Sequence, residues 1–129
     1  IINDSKSTSF SSSIGILKSN SNIYWLLGGM HKKGDKFKMP KQFHKRIKAF
    51  IFGKERNFFN KQLKGKIECK NFNRLRDALK FVLLKIKDEK FLDKTILFSP
   101  SAASFDSFKN FEDRGLYFNK LIKKYLNDK

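Results

Sequence analysis

Three loops of this sequence hold the residues whose types and spacing could do chemistry, and each has the composition of an anion-binding site. The segment NDSKSTS (residues 3–9) precedes a predicted helix, so its hydroxyls, the free helix amides and Lys6 would converge. The segment GGMHKKGDK (residues 28–36) follows a predicted strand, and its glycines would let a tight turn bring lysines close to a ligand. The segment SPSAASFD (residues 99–106) offers small residues and hydroxyls that could hold a carboxylate. Each loop is also explained by a plain role as a helix cap, surface loop or tight turn, so no loop decides the function alone.

Other kinds of site find little support in the composition. The chain has one cysteine, Cys69, and two histidines, so a Cys/His zinc cluster is not predicted. His31 lies in the glycine loop, where it could touch a ligand, and His44 is expected at the surface. No G-x-x-x-x-G-K-[ST] phosphate loop occurs, and no carboxylate pair indicates glycoside hydrolysis. Three aspartates could cap helices or order the loops: Asp4, Asp35 and Asp106.

A formal net charge of +17 suggests a second function, that of a stand-alone basic module that binds nucleic acid. Lys, Asn, Ile and Phe are all abundant and all use A/T-rich codons, so genome bias explains the same charge. The lysines are scattered along the chain and are not gathered in one Arg-rich tract. No membrane span or signal peptide is predicted, and a single cysteine fits a reducing cytoplasm.

The elements that would position these loops alternate between strand and helix. Apolar runs predict buried strands at residues 21–29, 47–53 and 94–100, and a weaker edge strand at residues 66–72. This alternation predicts an α/β fold: one Rossmann-like three-layer domain over residues 1–129, with helices on both faces of a mostly parallel sheet. The sheet would have about five or six strands, and ligands would bind beyond their carboxyl ends, where the three loops lie.

Capping residues and apolar stripes predict the helices. Ser9 would cap a first helix, Asn73 would cap the helix before the last strand, and a short helix is predicted at residues 57–66. An apolar stripe predicts one more helix near the C-terminus, with a buried face formed by Phe108, Phe111, Phe118, Leu121, Ile122 and Tyr125.

In order, and over essentially the whole chain, these loops resemble the C-terminal domain of the bacterial Mur ligases, in the branch that adds D-glutamate. In that family a loop NDSKATN opens the domain, a strand ends in LLGG before a lysine-bearing loop, and the last strand leads into LSPACASFDQFKNFEQRG. The corresponding segments here are NDSKSTS, LLGGMHKKGDK and FSPSAASFDSFKNFEDRG. The acidic DNPR signature of sibling ligases is absent.

The resemblance implies a cytoplasmic bacterial enzyme of peptidoglycan synthesis. ATP and Mg²⁺ would activate the carboxyl group of UDP-N-acetylmuramoyl-L-alanine as an acyl phosphate, which the amine of D-glutamate would attack to form an amide. ATP and Mg²⁺ would be bound mainly by a central domain, which is absent from this chain together with an N-terminal domain. The isolated domain is therefore expected to be inactive and monomeric.

The D-glutamate-binding residues of the family match two pairs in this chain, each for one carboxylate: Thr8 with Lys32, and Ser104 with the backbone at Phe111. Because the loop around Lys32 is richer in lysine than is usual in the family, Lys33 could substitute for Lys32. No residue of this domain is expected to be catalytic or to bind a metal. Two further residues match those that reach the ribose and phosphates of ATP when the domains close: Asp4 and Lys6.

The chain departs from the family pattern at four small residues. Ser7 and Ser101 stand where alanine is usual, Ser9 replaces asparagine, and Ala102 replaces cysteine. Because each change exchanges one small side chain for another, the geometry of the loops is expected to survive. A sibling Mur or folylpolyglutamate-type ligase domain for another amino acid is the alternative within the family.

Overall fold

A computed structural model of the chain describes residues 1–88, 94–102 and 108–127. Within them five strands form one sheet, in which every neighbouring pair is parallel and the order is β1-β5-β2-β3-β4. This all-parallel sheet confirms the predicted α/β fold class. The strands are β1 (Ile2–Asn3), β2 (Ile23–Gly28), β3 (Ile47–Phe52), β4 (Glu68–Phe72) and β5 (Thr95–Phe98).

Four helices cover the two faces of the sheet. Successive residues of β2 point to opposite faces, so Trp25 packs in one core cluster and Leu26 in the other. Helices α1 and α2 bury Phe10 and Phe59 on the Trp25 face, whereas α3 and α4 pack on the Leu26 face, where α4 buries Phe118. The helices are α1 (Phe10–Ser19), α2 (Arg56–Leu63), α3 (Leu75–Asp88) and α4 (Phe111–Asn127), and a short 3₁₀ helix covers Lys41–Arg46.

The predicted strands at residues 21–29, 47–53, 66–72 and 94–100 all occur, and the third lies at an edge of the sheet as expected. The predictions missed β1, because a strand of two residues is too short to show a periodicity.

Two predictions about helix residues were wrong. The third helix begins at Leu75, so Asn73 is not its N-cap, and the carbonyl of Asn73 instead accepts the amide of Gly53 at 3.2 Å. Phe111 begins α4 and is 40% exposed, so it is not part of the buried stripe that Phe118 and Leu121 form.

The connections that follow β5 and its two neighbours leave the sheet toward opposite faces. The chain after β1 enters α1, and the chain after β2 buries Phe37, both on the Trp25 face. The chain after β5 leads to α4 on the Leu26 face. Diverging connections at neighbouring parallel strands open a crevice beyond their carboxyl ends, the usual ligand site of such sheets. All three predicted loops begin at this edge.

Candidate functional site

Hydrogen bonds between buried side chains join the loop of residues 3–9 to the start of the loop after β5. The hydroxyl of Ser99 donates to Asp4 Oδ2 at 2.8 Å, and its oxygen lies 3.0 Å from Ser7 Oγ. The amide of Ser101 donates to Ser7 Oγ at 3.0 Å. Ser13 of α1 lies between these serines, 2.5 Å from Ser99 Oγ and 2.7 Å from Ser101 Oγ. We call these five residues the buried hydroxyl network.

The network is anchored to the sheet and satisfies its own polar atoms. Trp25 of β2 donates from Nε1 to the carbonyl of Ser99 at 2.7 Å. Among the described residues, every buried side-chain nitrogen and oxygen has a hydrogen-bond partner. Because buried polar groups are costly only when unpaired, a satisfied network of this kind fixes the loops in one arrangement. It holds Ser101 at φ 60°, a backbone conformation that few non-glycine residues adopt.

Arg114 of α4 is the second connection between these loops. Its side chain is buried, with 1% of the residue exposed. The guanidinium donates to the carbonyls of Ser5 at 2.6 Å, Ser7 at 3.3 Å and Ala102 at 2.8 Å, and to Ser5 Oγ at 3.2 Å. A planar fork of five N–H donors suits this task because its donors are fixed relative to one another. Arg114 therefore ties α4 to both loops at once.

The start of α4 also contacts the first loop directly. Ser5 Oγ donates to the carbonyl of Phe111 at 2.7 Å, and Asn3 Nδ2 donates to the carbonyl of Gly115 at 3.0 Å. The approach is close at Gly115, since a Cβ there would lie 3.1 Å from Ser5 Cβ and Ser5 would have to shift by a few tenths of an ångström. Asn110 caps the helix by accepting the amide of Asp113 at 2.8 Å. The amide of Phe111 lies in the first turn of α4, where backbone amides have no acceptor within the helix.

The glycine loop after β2 begins with a close backbone contact. The amide of Gly28 donates to the carbonyl of Pro100 at 3.1 Å, which joins this loop to the loop after β5. A Cβ on Gly28 would lie 2.1 Å from the carbonyl oxygen of Phe52, and the residue has φ 150°. Only glycine fits there without a shift of the backbone.

Asp35 joins the glycine loop to the start of α1. Its carboxylate accepts the amide of Phe10 at 2.9 Å, which is one of the free amides at a helix N-terminus. The Ser9 side chain does not cap the helix, although Ser9 occupies the cap position as predicted. The amide of Asp35 donates to the carbonyl of Lys32 at 3.0 Å, which closes a turn with Gly34 at φ 79°. Asp35 therefore orders the loop of residues 28–36, which is one of the two roles, helix cap or loop-ordering residue, that were expected for it.

The remaining anchor of this loop is His31. Its amide donates to Glu55 Oε1 at 2.8 Å, and its ring Nδ1 makes a short hydrogen bond to the same oxygen. The ring stacks on Phe58, with 3.9 Å between ring centroids and 13° between planes. The pairing of His31 with an acid was not predicted, because 24 residues separate it from Glu55 and no local motif links them.

A cavity of about 330 Å³ opens beside this site, at the carboxyl ends of β2 and β3 on the Leu26 face. Gly28, Gly53, Arg74, Arg114 and Tyr117 form part of its wall. Its volume is near the lower limit for small-molecule sites, which span roughly 300–1,000 Å³.

The predicted site residues that the structure describes lie at one edge of the sheet, with different exposures. Lys6, Thr8 and Lys32 are exposed, whereas Asp4 is buried with one carboxylate oxygen bonded to Ser99. The backbone of Phe111 lies at the start of α4. Ser104 and Asp106 lie outside the described residues. The sequence predictions missed Arg114, although it belongs to the long motif FSPSAASFDSFKNFEDRG, and Glu55, the partner of His31.

The site is cationic, and its chemistry is that of anion binding. Lysine side chains, a helix amide and hydroxyls are the groups that hold carboxylates and phosphates. The described residues contain no group of three His, Cys, Asp or Glu side chains placed to hold a metal ion. Within the same ranges, no helix has the length and apolarity that a membrane crossing requires.

The fold and the site together define a three-layer α/β domain with a crevice beyond its parallel strands, where lysines, hydroxyls and a helix N-terminus lie. No protein-family model matches the chain. Curated relatives named UDP-N-acetylmuramoylalanine–D-glutamate ligase do match it. The protein of Rickettsia felis is 35% identical over 126 residues, that of Hydrogenobaculum sp. 37% over 128, and that of Prochlorococcus marinus 38% over 131.

Each of these alignments covers 98% of the present chain. The chain spans only 28–30% of the length of these three relatives. The predicted resemblance is thereby confirmed: over nearly all its residues the chain is similar to part of the curated D-glutamate ligases.

Proposed function

We propose that this chain is the C-terminal domain of an ATP-dependent ligase that adds D-glutamate to UDP-N-acetylmuramoyl-L-alanine in peptidoglycan synthesis. The domain binds the incoming D-glutamate and closes over an ATP site held by the rest of the enzyme. The observation that carries the proposal is the hydrogen-bonded convergence of three loops at one sheet edge, one of them rich in lysine. The names of the aligned relatives support the substrate. They do not favour the nucleic-acid module that the net charge suggested.

D-glutamate carries two carboxylates, so its site needs two anion-binding ends at a fixed separation. We assign Thr8 and Lys32 to one end, and Ser104 with the amide of Phe111 to the other. Asp35 bonds to the first turn of α1 and thereby holds the Lys32 turn near Thr8. Each hydrogen bond to a charged group contributes roughly 1.5–3 kcal/mol, so these four residues suffice to select a dianionic amino acid.

The reaction itself is proposed to proceed with groups outside this chain. ATP forms the acyl phosphate, and the amine of D-glutamate displaces phosphate from it. Lys6 and Asp4 face the nucleotide when the domains close, with Lys6 as the exposed cation and Asp4 as the residue that fixes Ser99. Mg²⁺ is assigned to the central domain together with the phosphates of ATP, and no step involving it is assigned to this chain. We further propose that the enzyme acts in the cytoplasm as a monomer.

Steady-state kinetics of the full-length enzyme test this assignment. Lys32→Ala removes a charged hydrogen bond from D-glutamate but none from ATP, so the KM for D-glutamate should rise about tenfold or more while the KM for ATP stays within about twofold. Lys61→Ala is the control, because Lys61 is an exposed lysine of α2 outside the three loops. Equal increases in both KM values would refute the role of Lys32. Full activity with L-lysine in place of D-glutamate would favour the sibling-ligase alternative.

A further inference from the structure

The turn that carries Lys32 is fixed to the body of the domain at three points. Asp35 holds one end through the amide of Phe10, and the amide of Phe37 donates to Gln62 Oε1 of α2 at 3.0 Å. The third point is the pair of hydrogen bonds from His31 to Glu55. The side chain of Lys32 is exposed between these anchors.

The side chain of Glu55 forms hydrogen bonds with His31 and none with the amides of its own helix, α2. Glu55 occupies the N-cap position of α2, where shorter side chains such as Asp or Ser commonly accept a helix amide, and its side chain makes no such bond. Its Oε1 instead accepts the backbone amide and contacts the ring Nδ1 of His31, while Phe58 covers the ring. Two bonds to one oxygen and a stacked ring fix both the backbone and the side chain of His31.

We propose that Glu55 is a positioning residue for D-glutamate binding, which acts through His31 to set the direction of Lys32. This inference rests on the proposed function. Adjacent Cα atoms are about 3.8 Å apart, so a fixed His31 backbone determines where the Lys32 side chain begins. A long, flexible lysine holds a carboxylate well only when its starting point is fixed, because a displacement of about 1 Å in a binding group can cost up to a hundredfold in rate.

Variants of the pair separate its two hydrogen bonds. His31→Ala removes the ring bond and the stacking on Phe58 but keeps the bond from the backbone amide. Glu55→Ala removes both hydrogen bonds, and Glu55→Gln keeps an oxygen acceptor for both. The KM for D-glutamate should therefore rise in the order wild type, His31→Ala, Glu55→Ala, and Glu55→Gln should stay close to wild type.

The experiment measures KM for D-glutamate, KM for ATP and kcat in the full-length enzyme, with thermal unfolding of each variant. Glu55→Ala should raise the KM for D-glutamate about tenfold and leave that for ATP within about twofold. Glu68→Ala is the control, because Glu68 is an exposed acid in β4, outside the carboxyl-edge loops. A lower melting temperature with unchanged KM values would show that the pair is merely structural and would overturn the inference.

Two further outcomes also decide the matter. If Glu55→Gln raises the KM for D-glutamate as much as Glu55→Ala, hydrogen-bonded positioning through His31 is wrong. If Glu55→Ala fails to fold, His31→Ala gives the decision, since the His31 side chain is 35% exposed and its loss leaves the backbone bond to Glu55 and the two other anchors in place. Lys32→Ala separates the two proposals. A normal KM for D-glutamate in that variant refutes the proposed function. A raised KM in Lys32→Ala together with a normal KM in Glu55→Ala refutes only the positioning role of Glu55.

Discussion

The hydroxyl of Ser7 accepts the backbone amide of Ser101 at 3.0 Å, and both residues are buried. Positions 7 and 101 are the two at which this chain has serine where the resembling ligases usually have alanine. The two departures therefore meet in space, although 94 residues separate them. In this chain Ser7 therefore supplies the acceptor for the amide of Ser101, a residue whose backbone is in the left-handed conformation.

Ser7→Ala should lower the free energy of unfolding by about 1–3 kcal/mol, because the buried amide of Ser101 would lose its acceptor. Urea unfolding followed by circular dichroism measures the change. Ser19→Ala is the matched control, since Ser19 is exposed at the end of α1 and its loss should cost no more than about 0.5 kcal/mol. Equal losses in the two variants would show that the bond to Ser101 contributes nothing.

Replacement of Arg114 should be one of the most damaging single changes in the site. Arg114→Ala removes the guanidinium donors of three buried carbonyls, so the free energy of unfolding is expected to fall by about 3 kcal/mol or more. Arg114→Lys should recover little of this, because an ammonium group cannot reproduce the planar fork. Chemical denaturation of both variants tests the expectation, with Arg74→Ala as the control, since the Arg74 side chain is 61% exposed. A lysine variant as stable as the wild type would contradict it.

Much of the fold was predictable, because its determinants are local. Buried parallel strands are continuous apolar runs, and β2, β3 and β5 show them plainly in the sequence. The convergence of the loops followed from the rule that carboxyl ends of parallel strands meet.

The contacts that hold the site were not predictable, because they depend on long-range register. Ser13 occupies an apolar face of α1 where its hydroxyl would be unfavourable without Ser99 and Ser101, and no local pattern pairs these residues. In a chain of net charge +17, nothing in the local sequence distinguishes Arg114 from the many cations expected at the surface.

Two glycines of similar appearance in the sequence should respond in opposite ways to alanine. Gly28→Ala would place a Cβ 2.1 Å from the carbonyl oxygen of Phe52, so β2 and β3 would have to separate and stability should fall by about 3 kcal/mol or more. Gly15→Ala meets no atom within 4 Å and should stabilise α1 by roughly 0.5–1 kcal/mol. Thermal unfolding compares them, and a tolerated Gly28→Ala would contradict the close contact.

Cys69 provides a test of pH dependence. Burial, and secondarily the charge of Glu68, raises the pKa of its thiol from 9.0 to about 11. The raised pKa means that the folded state favours the protonated thiol. The contribution to stability is therefore complete below pH 9 and is lost as the pH rises from about 9 to about 11.

Iodoacetamide alkylation follows this thiolate directly, since the chain has no other cysteine. The rate in the folded chain should rise with an apparent pKa near 11, whereas the urea-unfolded chain should follow a pKa near 9. Coincident profiles would refute the shift. Glu68→Gln should move the folded profile slightly toward lower pH, because the smaller of the two causes is removed.

The bonds of Asn3 and Ser5 to α4 connect positions that are 106–116 residues apart in the chain. During synthesis at about 5–20 residues per second, the first loop would leave the ribosome roughly 5–20 s before the helix that completes it. Contacts of such high sequence separation form late, because a long loop must close before they contribute. The contacts of the candidate site are therefore expected to form only in the final stage of folding, and a chain that stops short of α4 should have most of its sheet without them.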